Sequence, residues 1–264
     1  MELMYLGTAA AEGIPAMFCD CERCRKARKR GGKEIRMRSG AIIDGTLKLD
    51  FGPDAYAGML HFGLSFVGVE HILITHSHMD HFCLEDIACI HPPYSHREAP
   101  LHIYGNAKVG EMLKEVDGKT LLFTELHPFE TYEIGGYQVT PLQAVHAPGE
   151  EALFYRIEKD GKAILYAHDT DEFTEADMTY LTGKHHDLIS LDCTNGELEM
   201  DYIGHMGAKD DLRMREKLLS VGVADEKTIF VANHFSHNGV LPSEELAALM
   251  PGFIISSDGL KISV

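Results

Sequence analysis

Long apolar runs and basic residues are both scarce in this 264-residue sequence. No run approaches the roughly 20 consecutive apolar residues that a membrane-spanning helix requires. The opening residues, Met1 to Leu6, lead directly into a Gly-Thr turn and do not have the pattern of a signal peptide. Lys and Arg number 24 against 41 Asp and Glu, and the formal net charge is −17. We therefore expect a cytoplasmic protein for which long nucleic acid is not a partner, because that kind of binding relies on basic patches.

A glycine-rich loop for dinucleotides is also missing. Gly7 and Gly13 flank the first turn, but their spacing is not that of the G-x-G-x-x-G loop that binds a pyrophosphate. The sequence does contain enough apolar material for a sizeable core, since 45% of its residues are hydrophobic. At this length we expect one domain spanning residues 1–264.

The densest chemical signal lies at residues 72–81, where the apolar run that begins at Ile72 predicts a buried strand. His76, His78, Asp80 and His81 follow it within six residues. Imidazole nitrogen and carboxylate oxygen are ligands that Zn²⁺ and Mn²⁺ accept, and a strand end can hold them rigidly. The first two histidines can chelate one ion, while Asp80 and His81 are offset and can reach a second. The alternative, a solvated loop with chance histidines, does not explain why the cluster directly follows a buried strand.

Three thiols occur within six residues, at Cys19, Cys21 and Cys24. In a reducing compartment, closely spaced cysteines indicate a metal site more often than a disulfide. Three thiolates can share a tetrahedral zinc ion with a fourth ligand from elsewhere in the chain, so we predict a zinc-binding loop near residues 19–24. Free cysteines on a polar loop and a redox pair are the alternatives. The basic run from Arg23 to Arg38 is typical of a solvated face, although its side chains could also border the site and attract an anionic substrate.

Other hydrophobic strands along the chain also end in His or Asp, at His146, Asp169 and His234. Asp50 closes an earlier strand, either as a turn-capping residue or as a partner that orients a metal ligand. Strands alternate with helices, which predicts an α/β layered architecture with one shared cleft at the strand ends. Taken alone, His146 or His234 would more often be a core or loop residue. The repeated placement at strand ends is what favours a metal site.

The order and spacing of these residues resemble the metallo-β-lactamase superfamily over nearly the whole chain. The resemblance implies an α/β fold, a four-layer αβ/βα sandwich with two metal ions between the sheets. Carried over position by position, it implies that His76, His78 and His146 hold the first ion, that Asp80, His81 and His234 hold the second, and that Asp169 bridges them. The commonest β-lactamases have a cysteine where Asp169 stands and carry a secretion signal. Because neither is found here, we do not expect antibiotic hydrolysis.

Within the superfamily, the chain is most similar to the phosphodiesterase branch that includes tRNase Z and the PhnP-type enzymes. The opening Leu6-Gly-Thr-Ala and Gly13-Ile-Pro15 resemble the start of both, and Gly204-His205-Met206-Gly207 lies where that branch places an active-site histidine. The long arm with which tRNase Z grips tRNA is not evident, which argues against tRNA as substrate. The PhnP-type enzymes have a structural zinc site, and a set of four residues here resembles it: Cys19, Cys21, Cys24 and His237.

The resemblance therefore predicts a metal-dependent hydrolase that acts on phosphoric diesters. It implies two active-site ions, Zn or Mn, and one structural Zn. The expected substrates are small, cyclic phosphodiesters, attacked by a hydroxide that bridges the ions. Asp80 belongs to the predicted catalytic site, and His205 is the candidate general acid for the departing alkoxide, with a non-catalytic place beside a helix N-cap as its alternative.

Other functions remain open at this stage. A thioesterase of the glyoxalase II type and an RNA-processing nuclease would use nearly the same metal ligands, and a protein that only binds zinc is a third possibility. The expected partner is a small anionic phosphodiester, with no membrane, and the chain could form a homodimer.

Overall fold

The structure, a computed structural model, describes residues 1–116, 120–201 and 203–264. Within these ranges the strands are β1 (Glu2–Gly7), β2 (Gly40–Ile43), β3 (Leu47–Leu49), β4 (His71–Leu73), β5 (Leu101–Gly105), β6 (Leu121–Glu125), β7 (Tyr132–Ile134), β8 (Tyr137–Gln143), β9 (Leu153–Lys159), β10 (Lys162–Ala167), β11 (Leu188–Asp192), β12 (Ile229–Asn233), β13 (Phe253–Ile255) and β14 (Lys261–Ser263). The helices are α1 (Glu22–Arg30), α2 (Ala55–His61), α3 (Leu84–Ala88), α4 (Ala107–Leu113), α5 (Glu175–Leu181), α6 (Ala208–Ser220) and α7 (Ser243–Leu249).

The strands form two seven-stranded sheets with the orders β14-β1-β2-β3-β4-β5-β6 and β13-β12-β11-β10-β9-β8-β7. Each sheet combines an antiparallel part with a parallel part. Pairing is antiparallel from β14 to β3 and from β7 to β10, and parallel from β3 to β6 and from β10 to β13. The parallel strands of both sheets matter for the site, because parallel strands deliver their carboxyl ends to one edge.

Three apolar clusters hold the layers together. Side chains such as Tyr5 and Leu49 from the first sheet pack against Tyr155 and Leu188 from the second, which makes the central core. A second cluster joins the outer face of the first sheet to α3 and α4, and a third joins the outer face of the second sheet to α5, α6 and α7. On α6 the buried Met214 and Leu218 are four residues apart, as a helix that covers a sheet with one face requires. This is the four-layer αβ/βα sandwich that the sequence predicted.

The helices of the structure are short. Helix α6 contains 13 residues, and none of the described helices is both long and apolar enough to traverse a lipid bilayer.

A buried histidine next to β11 makes the stability of the fold depend on pH. His186 Nδ1 lies 3.3 Å from the carbonyl oxygen of Val223, and Nε2 has no hydrogen-bond partner. Burial lowers the pKa of His186 to about 3. The unfolded chain takes up this proton near pH 6.5, whereas the folded chain does not until about pH 3, so stability is full above pH 6.5 and falls as the pH drops through this window.

We expect the variant His186→Gln to lose less stability than the parent protein between pH 7.5 and pH 5. The difference should be about 2 kcal/mol, which is the cost of keeping a histidine neutral about 1.5 pH units below its unfolded pKa. Urea unfolding at the two pH values measures it. The control is His61→Gln at an exposed position at the end of α2, which should behave as the parent does. Equal losses in parent and His186→Gln would contradict the assignment.

Candidate metal centre

Loops at the carboxyl ends of strands from both sheets carry the predicted ligands. After β4 come His76, His78, Asp80 and His81; His146 follows β8 by three residues, Asp169 follows β10 by two, and His234 follows β12 directly. The structure brings these seven residues together in two overlapping sets. The sets are His76, His78, His146 and Asp169, and Asp80, His81, Asp169 and His234, and within each set the donor atoms all lie within 4.8 Å of one another.

Donor atoms in the two sets lie at distances expected for ligands of a common ion. His78 Nδ1 is 3.1 Å from His146 Nε2, and His81 Nε2 is 3.2 Å from His234 Nε2. Two imidazole lone pairs at this distance repel each other unless a proton or a cation lies between them. Ligands about 2.1 Å from a tetrahedral ion would be about 3.4 Å apart, close to the observed values.

Asp169 belongs to both sets. Its Oδ2 lies 3.3 Å from His76 Nε2 and 2.8 Å from His81 Nε2. Its Oδ1 lies 2.9 Å from His234 Nδ1. A single carboxylate thus faces both ligand groups, which is the placement of a bridging ligand.

Protein oxygen atoms hold the Nδ1 atoms of four of these histidines. In His76, His81 and His146 this nitrogen points away from the cluster, whereas His234 Nδ1 also faces Asp169 Oδ1 at 2.9 Å. For the first three, the contact fixes which nitrogen faces the cluster, as is usual for metal-binding histidines. The pairs are His76 Nδ1 with Thr75 Oγ1 at 3.0 Å, His81 Nδ1 with Asp50 Oδ2 at 2.7 Å, His146 Nδ1 with the Gly204 carbonyl at 3.1 Å, and His234 Nδ1 with Thr194 Oγ1 at 2.8 Å.

Asp50 is fully buried behind this cluster. Its Oδ1 accepts hydrogen bonds from the amide and hydroxyl of Thr75 at 2.8 and 3.0 Å, and its Oδ2 contacts His81. Of the two roles that the sequence left open for Asp50, the structure therefore favours the one that orients a ligand.

The cluster offers divalent ions a neutral histidine, an ionised carboxylate and a histidine whose proton an ion can displace. Burial lowers the pKa of His76 well below its ordinary value, and its buried Nε2 has no hydrogen-bond partner, so a lone pair is available for an ion. Burial alone would raise the pKa of Asp169, but His234 and His81 outweigh it and keep the carboxylate ionised. Burial alone would lower the pKa of His234, but Asp169 outweighs it and raises the pKa to about 10. A divalent ion would displace this proton as the counter-charge, because metal binding releases protons from its ligands.

His205 lies beside the two sets, in a pocket of about 300 Å³ whose lining also includes His78, His146 and His234. Its Nδ1 is 3.1 Å from Asp192 Oδ2 and 3.5 Å from Asp169 Oδ1. Burial lowers the pKa of His205, but the Asp192 carboxylate outweighs this effect, and the pKa is raised overall. The Asp192 carboxylate therefore stabilises the protonated form of this histidine.

Asp192 was not among the site residues predicted from the sequence. The signal was present, because Asp192 ends β11 just as the other ligands follow their strands. Asp192 also groups with Asp169, His205 and His234 in a third donor set. Its oxygens already accept hydrogen bonds from the amides of Asp169 and Thr194, at 2.8 and 2.9 Å. We therefore interpret Asp192 as the residue that holds His205 in place.

The cysteine loop forms a separate donor set. Cys19, Cys21, Cys24 and His237 offer donor atoms within 4.8 Å of one another, and Cys21 Sγ is 3.6 Å from His237 Nδ1. A hydrogen bond from the Cys24 amide lowers the pKa of Cys21 to about 6, which favours the thiolate that zinc requires. We propose that this set holds a structural zinc ion.

The basic segment that follows the cysteines does not line the metal pocket. None of residues 23–38 is in the described lining of that pocket, and several of them line a neighbouring cavity of about 470 Å³. Arg23 ion-pairs with Glu197, and Arg36 is buried with its guanidinium bonded to Thr8 Oγ1 at 2.9 Å and Ser243 Oγ at 3.0 Å. These contacts hold the basic segment against the rest of the fold.

Replacing Cys21 with Ser should remove about one zinc ion per chain and lower the melting temperature. Serine is a poor zinc ligand, and structural zinc contributes folding free energy. Metal analysis and thermal unfolding measure the two effects, and the metals of the histidine cluster should remain. The control is Cys89→Ser, at an exposed thiol outside the set. Unchanged zinc content in Cys21→Ser would reject the site.

Comparison with known proteins adds a family to this geometry. A family described as "Beta-lactamase superfamily domain" matches residues 49–235. The chain belongs to this superfamily. It is thus a metal-dependent hydrolase with the metallo-β-lactamase fold, as the sequence predicted.

Solved structures of the superfamily resemble the chain over its whole length. A diphosphatase from the PhnP family superposes with a TM-score of 0.79 at 25% identity, and the match covers 99% of this chain and 96% of that one. Human tRNase Z, short form, superposes with a TM-score of 0.70 at 17% identity, covering 100% of this chain and 99% of that one. The assignment to the branch that contains both enzymes agrees with these likenesses.

A curated relative of this metallo-hydrolase is considerably longer. The octanoyltransferase of Porphyromonas gingivalis (strain ATCC BAA-308 / W83) is 24% identical over 280 residues, which covers 99% of this chain and 51% of that protein. This chain therefore spans about half the length of that relative.

Proposed function

We propose that this chain is a dinuclear-metal phosphodiesterase that hydrolyses small, cyclic phosphodiesters. The observation that carries the proposal is the pair of donor sets sharing Asp169, with His205 only 3.5 Å from the shared carboxylate. The 25% identity with a PhnP-family diphosphatase over nearly the whole of both chains supports it.

The donor sets define where two divalent ions would bind. The first position has His76, His78 and His146, the second has Asp80, His81 and His234, and Asp169 serves both. When bound, the ions would activate water near neutral pH, and their charge would exceed that of the two carboxylate ligands Asp80 and Asp169, so the centre could receive a phosphodiester monoanion.

His205 is the residue that can supply a proton to the leaving group. Asp192 holds its Nδ1, so the other ring nitrogen is the one that can present a proton to a departing alkoxide. Asp192 also accepts hydrogen bonds from the amides of Asp169, at 2.8 Å, and Met206, at 3.2 Å. One carboxylate therefore fixes the relative position of the proton donor and the shared ligand.

A panel of substrates tests the proposal. Metal-loaded protein is assayed with bis(p-nitrophenyl) phosphate, a 2′,3′-cyclic nucleotide, a short RNA, S-lactoylglutathione and an octanoyl thioester, with chelator-treated protein before and after reloading as the control. We expect metal-dependent turnover of the first two. Turnover of the thioesters alone would identify a thioesterase, and cleavage of RNA alone would identify a nuclease. Metal-loaded protein that hydrolyses none of them would be a zinc-binding protein without this activity.

A further inference from the structure

Six large apolar side chains are exposed on three segments that line or border the metal pocket. They are Met17, Phe18, Met79, Leu198, Met200 and Ile203, and we call them the apolar rim. Phe18 is 97% exposed, Ile203 76% and Met79 68%. Apolar side chains gain free energy when they leave water, and a group of them around a cleft marks a surface that binds something.

Two of the segments are tied to the metal ligands. Met79 lies between His78 and Asp80, both of which line the pocket. Leu198, Met200 and Ile203 come shortly before Gly204 in the sequence, and the Gly204 carbonyl oxygen lies 3.1 Å from His146 Nδ1. Ile203 is therefore only two residues from the candidate proton donor.

The third segment carries Met17 and Phe18. It is connected to the pocket through Glu12, which lines the pocket. Glu12 Oε1 accepts hydrogen bonds from Ser236 Oγ at 2.6 Å and from the amide of His237 at 3.2 Å. Cys19 groups with the same His237. Met17 and Phe18 lie between these two anchors, so the third segment of the rim also borders the pocket.

The side chains that the structure describes in the pocket lining favour a monoanionic substrate over a polyanionic one. No Lys or Arg is present in the part of the pocket lining that the structure describes. Arg23 reaches the segment of Leu198, but it is ion-paired with Glu197 there. Glu12 adds a carboxylate to the lining itself. A second phosphate next to the reacting diester would have no Lys or Arg of the described lining to pair with. An uncharged apolar group could instead pack against the apolar rim.

We propose that the apolar rim binds an uncharged apolar or aromatic group of the substrate, so that the preferred substrates are phosphodiester monoanions carrying such a group. This inference rests on the proposed phosphodiesterase function and narrows its substrate class. The rim acts on substrate binding, and the chemistry at phosphorus stays with the donor sets and His205.

The experiment compares two diesters that share one leaving group and one negative charge. Methyl p-nitrophenyl phosphate and phenyl p-nitrophenyl phosphate differ only in the second substituent. The full-length, metal-loaded protein is assayed with both, and the ratio of kcat/KM values is divided by the ratio of their alkaline hydrolysis rates. We expect a preference for the phenyl ester of about tenfold, which corresponds to burial of roughly 50–60 Å² of apolar surface.

Variants test whether the apolar rim causes the preference for the phenyl ester. Ile203→Ser and Phe18→Ser should each reduce the phenyl-to-methyl ratio severalfold. Val67→Ser is the matched control, because Val67 is 84% exposed but lies in the turn at residues 66–68, away from the three segments. Titration calorimetry with diphenyl phosphate and dimethyl phosphate gives a readout independent of turnover, and diphenyl phosphate should bind about tenfold more tightly.

The outcomes separate this inference from the function on which it rests. Hydrolysis of both esters with a corrected ratio near one would contradict binding at the apolar rim. The proposed phosphodiesterase function would be unaffected. A preference that Ile203→Ser, Phe18→Ser and Val67→Ser all retain would also contradict binding at the apolar rim. Should neither ester be hydrolysed, the proposed function fails, and calorimetry then decides: tighter binding of diphenyl phosphate supports the rim, and equal affinities refute it.

Discussion

Replacing Asp169 with Asn should lower kcat/KM for a phosphodiester by at least about 10³-fold. Among the residues that the structure describes, Asp169 is the carboxylate shared by both ligand groups, and an amide would put a single neutral oxygen in its place. Residues that merely orient a metal ligand are worth about 10- to 100-fold, so a shared ligand should cost more. Metal analysis of the purified variant should show that at least one ion of the histidine cluster is lost.

The chain offers a closely matched control for this substitution. Asp160 has φ of 52° and Asp169 has φ of 50°, so both aspartates occupy the left-handed region, which Asn tolerates as well as Asp does. Asp160 is exposed in the turn between β9 and β10. The variant Asp160→Asn removes the same charge with the same side-chain shape and should keep full activity and metal content. Full metal content and activity in Asp169→Asn would refute the shared-ligand assignment.

Replacing His205 with Ala should lower kcat by about 10²-fold or more for diesters with poor leaving groups, and much less for p-nitrophenyl esters. An alkoxide needs a proton as it departs, whereas p-nitrophenolate is stable without one, and general acid catalysis contributes about 10²- to 10⁴-fold. The comparison is between a 2′,3′-cyclic nucleotide and bis(p-nitrophenyl) phosphate, each assayed with both proteins.

His61→Ala provides the control, because His61 is an exposed histidine at the end of α2 and should leave both activities unchanged. Equal losses for both substrates in His205→Ala would mean that His205 positions the substrate or contributes to metal binding, and would remove the general-acid role. Metal content measured in parallel separates these two explanations, since His205 is also part of a donor set with Asp169 and Asp192.

The fold class was predicted correctly, and the candidate ligands were easier to recognise from the sequence than the individual strands and helices around them, for a physical reason. Ligands such as His76 and His78 lie two residues apart in the sequence, after an apolar run that is recognisable as a strand. Asp192 ends its strand in the same way, but it lies among Ser, Cys and Thr rather than among histidines, and it was missed. Its importance depends on the approach of His205, which belongs to another segment and which no local pattern reveals.

Helix α1 and the last two strands show why other elements were not predicted. Only Cys24 and Ala27 of α1 are buried, so its nine residues present no apolar stripe. Its basic residues indicated a solvated face or a border of the site, and neither interpretation predicted a helix. Strands β13 and β14 have three residues each. The register of β14 against β1, with Glu2 opposite Ser263, joins the two ends of the sequence and carries no local signal.

The pairing of His81 with His234 also bears on how the protein is made. These two donors face each other across 153 positions of sequence. On the ribosome, the early histidines emerge long before β12 has been translated, so a nascent chain exposes only a partial site with fewer donors. The complete donor sets cannot form before β12 has been synthesised, because His234 follows that strand directly.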